Sequence, residues 1–109
     1  MNSSSSLDYG QAVATVQIDN ERVRVTEWRF PPGTQTGWHR HELDYVVVPT
    51  AAGHMSYETS DGQATRDLVV GDSYAREAGS EHNVINKTDT EFAFVEIELK
   101  SRPPAPGNN

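Results

Sequence analysis

The sequence predicts an all-β sandwich or barrel, and three observations carry that prediction. Apolar residues recur at every second position over short stretches, which is the strand period. Gly, Pro, Asp and Asn punctuate those stretches at short intervals. No stretch forms a convincing amphipathic helix, and no internal repeat is evident.

Taken in order, residues 1–10 begin with a serine run and are expected to form a flexible segment. Val13, Thr15 and Val16-Gln17-Ile18 predict a strand that ends at the turn pair Asp19-Asn20. A second strand runs from Arg22 to Phe30, with Trp28 and Phe30 on one face as core, and Pro31-Pro32-Gly33 stops it. Tyr45-Val46-Val47-Val48 is the most apolar run, reads as buried on both faces, and is expected to end at Pro49. Strands from His54 to Thr59 and from Gln63 to Val69 flank Ser60-Asp61-Gly62, a hairpin signal. Short extended pieces follow at Ser73–Arg76 and Glu81–Ile85. The last strand, Glu91 to Lys100, alternates Phe92, Phe94 and Glu96 against Ala93, Val95, Ile97 and Leu99. The proline-rich residues 101–109 cannot build an element interior and are expected to be a flexible tail.

Composition narrows the function classes. A chain of 109 residues fits one domain, and its hydrophobic share of 35% is low for a globular protein. Net charge of −7 and a pI near 4.9 argue against nucleic acid or an anionic membrane surface as partner. The absence of cysteine excludes disulfides, thiolate metal sites and cysteine nucleophiles. The N-terminal run lacks the basic start and apolar centre of a signal peptide, and no apolar run approaches a membrane span. A cytoplasmic protein is therefore expected, and Asn86-Lys87-Thr88 is read as a chance glycosylation signature.

Against that background Gly37-Trp38-His39-Arg40-His41 stands out. Two histidines two apart on a strand share a face, and paired imidazoles there can grip a transition metal. A solvated or merely packed pair is the alternative. A second marked stretch holds Gly71, Gly79, His82 and Asn86.

Together these residues bring out a resemblance. The chain resembles a small single-domain cupin of the RmlC-like jelly-roll group. Gly33, His39, His41 and Gly53 follow the family's first motif, and Gly71, Gly79, His82 and Asn86 its second. The resemblance covers roughly residues 11 to 99 and implies a double-stranded β-helix, with residues 11–100 as the cupin domain. Glu77 stands where the second motif has proline. The acidic residue of the first motif is missing, since the three-residue gap gives Tyr45 and the four-residue gap Val46. Glu42 and Asp44 have the opposite parity to the histidines and are expected to face away unless a β-bulge turns them in.

The resemblance implies that His39, His41 and His82 converge on one divalent transition metal per chain, iron foremost, with Zn, Ni, Mn, Co or Cu open. Three neutral ligands would leave the ion its full charge, which suits anionic or chelating oxygen ligands. Tyr45 is a candidate catalytic hydrogen-bond donor, with core packing as its alternative. Arg76 is a candidate clamp for a substrate carboxylate, with a surface position as its alternative. His54 is expected at the surface. The expected function is a small-molecule enzyme, with an iron-dependent dioxygenase on a keto acid or diketone as one form and lyase or hydrolase chemistry as others. A non-catalytic ligand-binding or sensing cupin is the second expectation, and a metal-free epimerase-like cupin the third. The resemblance also implies a homodimer paired through its sheets.

Overall fold

Each alternating run pairs as a strand. The computed structural model describes residues 8–100, and the readings made above for residues 1–7 and 101–109 lie outside that span. The strands are β1 (Gly10–Gln11), β2 (Val13–Asp19), β3 (Val23–Phe30), β4 (Thr34–Gln35), β5 (His39–Arg40), β6 (Asp44–Ala51), β7 (Gly53–Thr59), β8 (Gly62–Leu68), β9 (Tyr74–Arg76), β10 (Glu81–Ile85) and β11 (Phe92–Leu99). About eight strands are expected from periodicity. The extra ones, β1, β4 and β5, have two residues each and are too short to display any period.

Two sheets face each other. One has the order β1-β4-β10-β7-β8, with β5 joined to β10, and the other has the order β2-β3-β11-β6-β9. Registers assign the inner face of the second sheet. Phe92 lies opposite Phe30 and Phe94 opposite Trp28, while Glu98 lies opposite Tyr45 and Tyr45 opposite Arg76. Phe30 and Phe92 are fully buried and stack with ring centroids 4.9 Å apart, and Phe94 sits 5.5 Å from Phe30. Trp28 is only half-buried, because it lies where the two sheets part. Gly53 packs directly on this aromatic cluster. A Cβ added there would come within 2.5 Å of the Phe92 Cβ, so no larger residue fits without a backbone shift.

Two expectations about the valine-rich strand are corrected. β6 does not end at Pro49 but continues to Ala51. The proline is accommodated where β6 and β11 slip register: Phe94 faces Pro49 while Ala93 faces Ala51. That irregularity leaves the missing N–H out of the ladder. Nor is β6 buried on both faces. Tyr45, Val47 and Pro49 point inward, whereas Val46 and Val48 are half-buried on the outer face beside Val25, Val95 and Ile97.

Asn86 closes the loop after β10. It is fully buried; its side-chain amide donates to the carbonyls of Phe30 (2.8 Å) and Thr90 (2.9 Å), and its Oδ1 accepts from Thr88 N (2.9 Å) and Thr88 Oγ1 (2.7 Å). No helix among the described residues is long and apolar enough to cross a membrane.

Candidate metal centre

Strand pairing brings the histidines together. His39 on β5 lies directly opposite His82 on β10, and Arg40 lies opposite Glu81. His41 follows in the same alternation. Its N–H donates to Ser80 O (2.9 Å), and its carbonyl accepts from Gly79 N (2.8 Å). Gly79 has φ of 97°, a left-handed conformation that favours glycine at this position.

The three rings meet through their Nε2 atoms. His39 Nε2 is 3.1 Å from His41 Nε2, which is 3.2 Å from His82 Nε2. His39 Nδ1 is 2.9 Å from the Gly37 carbonyl, an acceptor only, so Nδ1 carries the proton and Nε2 keeps a free lone pair. The Gly37 turn (φ 90°) is held in turn by buried Asn83, whose Oδ1 accepts from Gly37 N at 2.9 Å. Asn83 Nδ2 donates to Gln35 Oε1 at 2.8 Å. Thus the residue beside one histidine orients the loop that carries another.

This donor set fits a metal. Nitrogens bound at about 2.0–2.1 Å to one ion, in octahedral or tetrahedral arrangement, lie roughly 2.9–3.4 Å from one another, a range that holds the His39–His41 and His41–His82 spacings. His39, His41 and His82 form such a group of potential ligands, with the last two buried. Packing three imidazoles this closely is otherwise unfavourable, and His82 Nδ1 is buried without a hydrogen-bond partner.

Burial makes both inner rings resist protonation. Desolvation, then the neighbouring His39 ring and the Arg76 guanidinium, holds His41 at about 4. Desolvation, then His39, His41 and Arg76, holds His82 at about 3. Both therefore offer neutral nitrogen at physiological pH.

The acids next to the histidines in sequence stay outside, and one from elsewhere in the chain comes near. Glu42 is exposed near Arg40 (3.5 Å), and Asp44 is exposed and accepts from Ala78 N (2.8 Å). No bulge turns either inward. Instead Glu96, on β11 of the opposite sheet, comes to 3.9 Å from His41 Nε2 with its side chain only 12% exposed. Burial, reinforced by Glu98 and opposed by a hydrogen bond from Trp28, pushes its carboxyl up to about 7. Glu96 belongs with Phe92 and Phe94 in the inward alternation. A carboxylate in step with two core aromatics is the signal that could have assigned it a role.

The other candidates divide. Tyr45 is 2% exposed and stacks on His41, with centroids 3.9 Å apart and planes inclined by 21°. Burial pushes its hydroxyl up to about 12, so it is a neutral donor. Arg76 turns inward and lines a small pocket of about 20 Å³, room for about one water, with Tyr45, Tyr57, Tyr74, His82 and Glu96. Its guanidinium carbon stands 6.0 Å from the Tyr57 ring centroid. Val46 lies on the outer face. His54 is at the surface, 2.6 Å from Asp67 Oδ1. Beyond the histidines a more open groove, lined by Val16, Arg24, Trp28, His39, His41 and Glu98, leads outward, and Glu96 borders both spaces.

A pH dependence follows for chelator-treated protein. As pH falls below 6.5 the unfolded chain protonates both imidazoles, whereas the fold resists until about 4 and about 3. The unfolded state takes up protons first, so stability falls with pH. Glu96 acts in the opposite sense between 4.5 and about 7, where only the folded state holds its proton. Two histidines outweigh one carboxylate. Stability is expected to fall as pH drops from 6.5 to 4.5 and most steeply just below 4.5, easing once His41 and His82 take up protons in the fold at about 4 and about 3. Urea unfolding followed by circular dichroism at several pH values measures this, and a flat profile would contradict it.

Comparison with known proteins agrees with this architecture. A family model described as Cupin domain matches residues 26–98. The β-alanine degradation protein BauB of Pseudomonas aeruginosa is 57% identical over 90 residues, which is 83% of this chain and 95% of that protein. The crystal structure of a cupin domain from Bordetella pertussis superposes with a TM-score of 0.83 at 62% identity, covering 85% of this chain and 97% of that one. An RmlC-like cupin with a double-stranded β-helix fold from Methanocaldococcus jannaschii shares the fold at 16% identity, with a TM-score of 0.70 and coverage of 85% and 84%.

Proposed function

The chain belongs to the cupin family, and on that premise we propose that it is a metal-dependent enzyme acting on a small molecule at a mononuclear His39/His41/His82 centre. The observation that carries this reading is the convergence of three Nε2 atoms within 3.1–3.2 Å steps. One divalent transition ion per chain, iron foremost, would supply an open coordination position and a positive charge for a chelating oxygen ligand. The chain's own residues then divide the work. His39 is oriented by Gly37, and His41 is held flat by Tyr45. Arg76 offers a planar pair of donors to a substrate carboxylate in the adjoining pocket. Tyr45, neutral and buried, offers a hydroxyl hydrogen bond without risk of ionising.

A dioxygenase acting on a keto acid, diketone or similar chelator is the form of reaction proposed. Similarity to a protein named for β-alanine degradation supports a catabolic role on a small organic acid. The half-buried apolar outer face of Val25, Val46, Val48, Val95 and Ile97 supports pairing of two copies through that sheet. Elemental analysis of protein purified without chelator should give near one transition metal per chain, and oxygen uptake by the iron form should respond to keto acids or diketones. A metal-free preparation that resists reconstitution would overturn the reading. A metal-replete protein silent to the whole panel would favour the non-catalytic ligand-binding cupin.

A further inference from the structure

The inner face of the second sheet is left uncovered along one edge. Ala14 and Val16 on β2 lie opposite Trp28 and Thr26 on β3, which lie opposite Phe94 and Glu96 on β11, so all six share one face. At Phe94 that face is buried in the core, yet at β2 Ala14 is exposed and Val16 is 57% exposed. The cause lies in the facing sheet. β1 and β4 contribute only two residues each, and the chain then turns at Gly37 towards β5. What remains is a groove of about 360 Å³ that ends on His39 and His41. Its walls differ in character. The Trp28 indole N–H already donates to Glu96, which leaves the ring for apolar contact beside Ala14 and Val16. The two arginines of the groove are both matched: Arg24 by Asp19 (3.3 Å) and Glu98 (3.9 Å), and Arg40 by Glu81 (3.4 Å) and Glu42 (3.5 Å). A second anionic group on a ligand would find no unmatched cation there. Beyond the histidines the interior pocket holds about one water, so at most the head of a ligand enters it and the body lies on the groove side.

We infer that this groove binds the body of the substrate, and that the substrate is an organic acid with its oxygen head at the histidines and an uncharged, branched or aromatic body on Trp28, Ala14 and Val16. This inference rests on the proposed metal-centred reading and names the class of molecule presented to it. Trp28 and Val16 are then the residues that set specificity. The groove falls within the range of about 300–1,000 Å³ usual for small-molecule sites. An acid as small as pyruvate would leave the apolar wall wet, whereas a longer uncharged body would cover it.

Calorimetric titration of zinc-loaded and of chelator-treated protein with pyruvate, 4-methyl-2-oxopentanoate and 2-oxoglutarate tests it. The branched acid should bind the zinc-loaded protein about tenfold or more tighter than pyruvate, because it buries three further carbons. 2-Oxoglutarate, longer but charged at its far end, should show no such gain. Trp28→Ala should erase the advantage of the branched acid and leave pyruvate binding in place. Because Trp28 also packs near Phe30, with centroids 6.1 Å apart, Val16→Asp at an exposed position makes the same test without disturbing the core. Val13→Asp, on the opposite face of the same strand, should change nothing. Equal affinity for pyruvate and the branched acid, no binding of either, or an undiminished preference in Val16→Asp would overturn the inference. So would a shift from dimer to monomer on gel filtration of Val16→Asp, which would assign the groove to a second copy of the chain. If affinities and preference are the same after metal removal, the groove stands and the metal-centred reading fails. If zinc is needed for binding but the branched acid gains nothing over pyruvate, the groove fails and the metal-centred reading stands.

Discussion

Replacing His82 by alanine is expected to lower transition-metal affinity by about two orders of magnitude or more while leaving a folded β protein. The imidazole is one of three donors, with Nε2 distances of 3.1 Å from His39 to His41 and 3.2 Å from His41 to His82, and two neutral nitrogens make a poor site. The fold should survive because His82 gives the protein little else: its Nδ1 has no partner, and its Nε2 contacts only another ring of the cluster. Losing a buried ring costs some packing, partly offset by removing an unsatisfied polar atom. Elemental analysis after gel filtration, with circular dichroism on the same sample, reads both halves. Unchanged metal content in a folded variant would show that the ligands have been misassigned.

Asn86→Ala should have the largest effect on stability, about 3 kcal/mol or more, which lowers the melting temperature by roughly 10–20 °C. The side chain, itself fully buried, uses two donors on the carbonyls of Phe30 and Thr90 and accepts twice from Thr88. Alanine fills neither role, and the carbonyl of buried Phe30 is left without its partner. Asn86→Asp is expected to be no better, because it keeps the acceptors but turns a carboxylate towards two carbonyl oxygens. Thermal unfolding measures the change. A loss below about 1 kcal/mol would mean that water replaces the amide. The second motif therefore combines two roles, with His82 in the metal cluster and Asn86 tying the end of β3 to the turn after β10.

Legibility of the fold and site in the sequence tracks how local each cause is. The shared face of His39 and His41, and the outward turn of Glu42 and Asp44, follow from strand alternation alone. His82 was reachable only through the family motif, because its pairing with His39 across β5 and β10 is a tertiary fact with no local signature. Pro49 misled the reading of β6 because a proline normally ends a central strand, and the register slip that admits it belongs to the partner β11. Arg76 sits on a three-residue strand where parity is too short to decide, so its inward turn had to be seen. Glu96 is hidden for a related reason: motif spacing points to an acid next to the histidines in sequence, whereas the barrel brings one near His41 from its last strand.

Glu96 also has a consequence apart from its charge. It is the one residue that borders both the interior pocket and the outer groove. The side chain thus stands between the two spaces. Shortening it to alanine would widen the opening between them, while glutamine would keep its bulk and remove only the charge. Comparing the two separates what the carboxylate attracts from what its bulk keeps out.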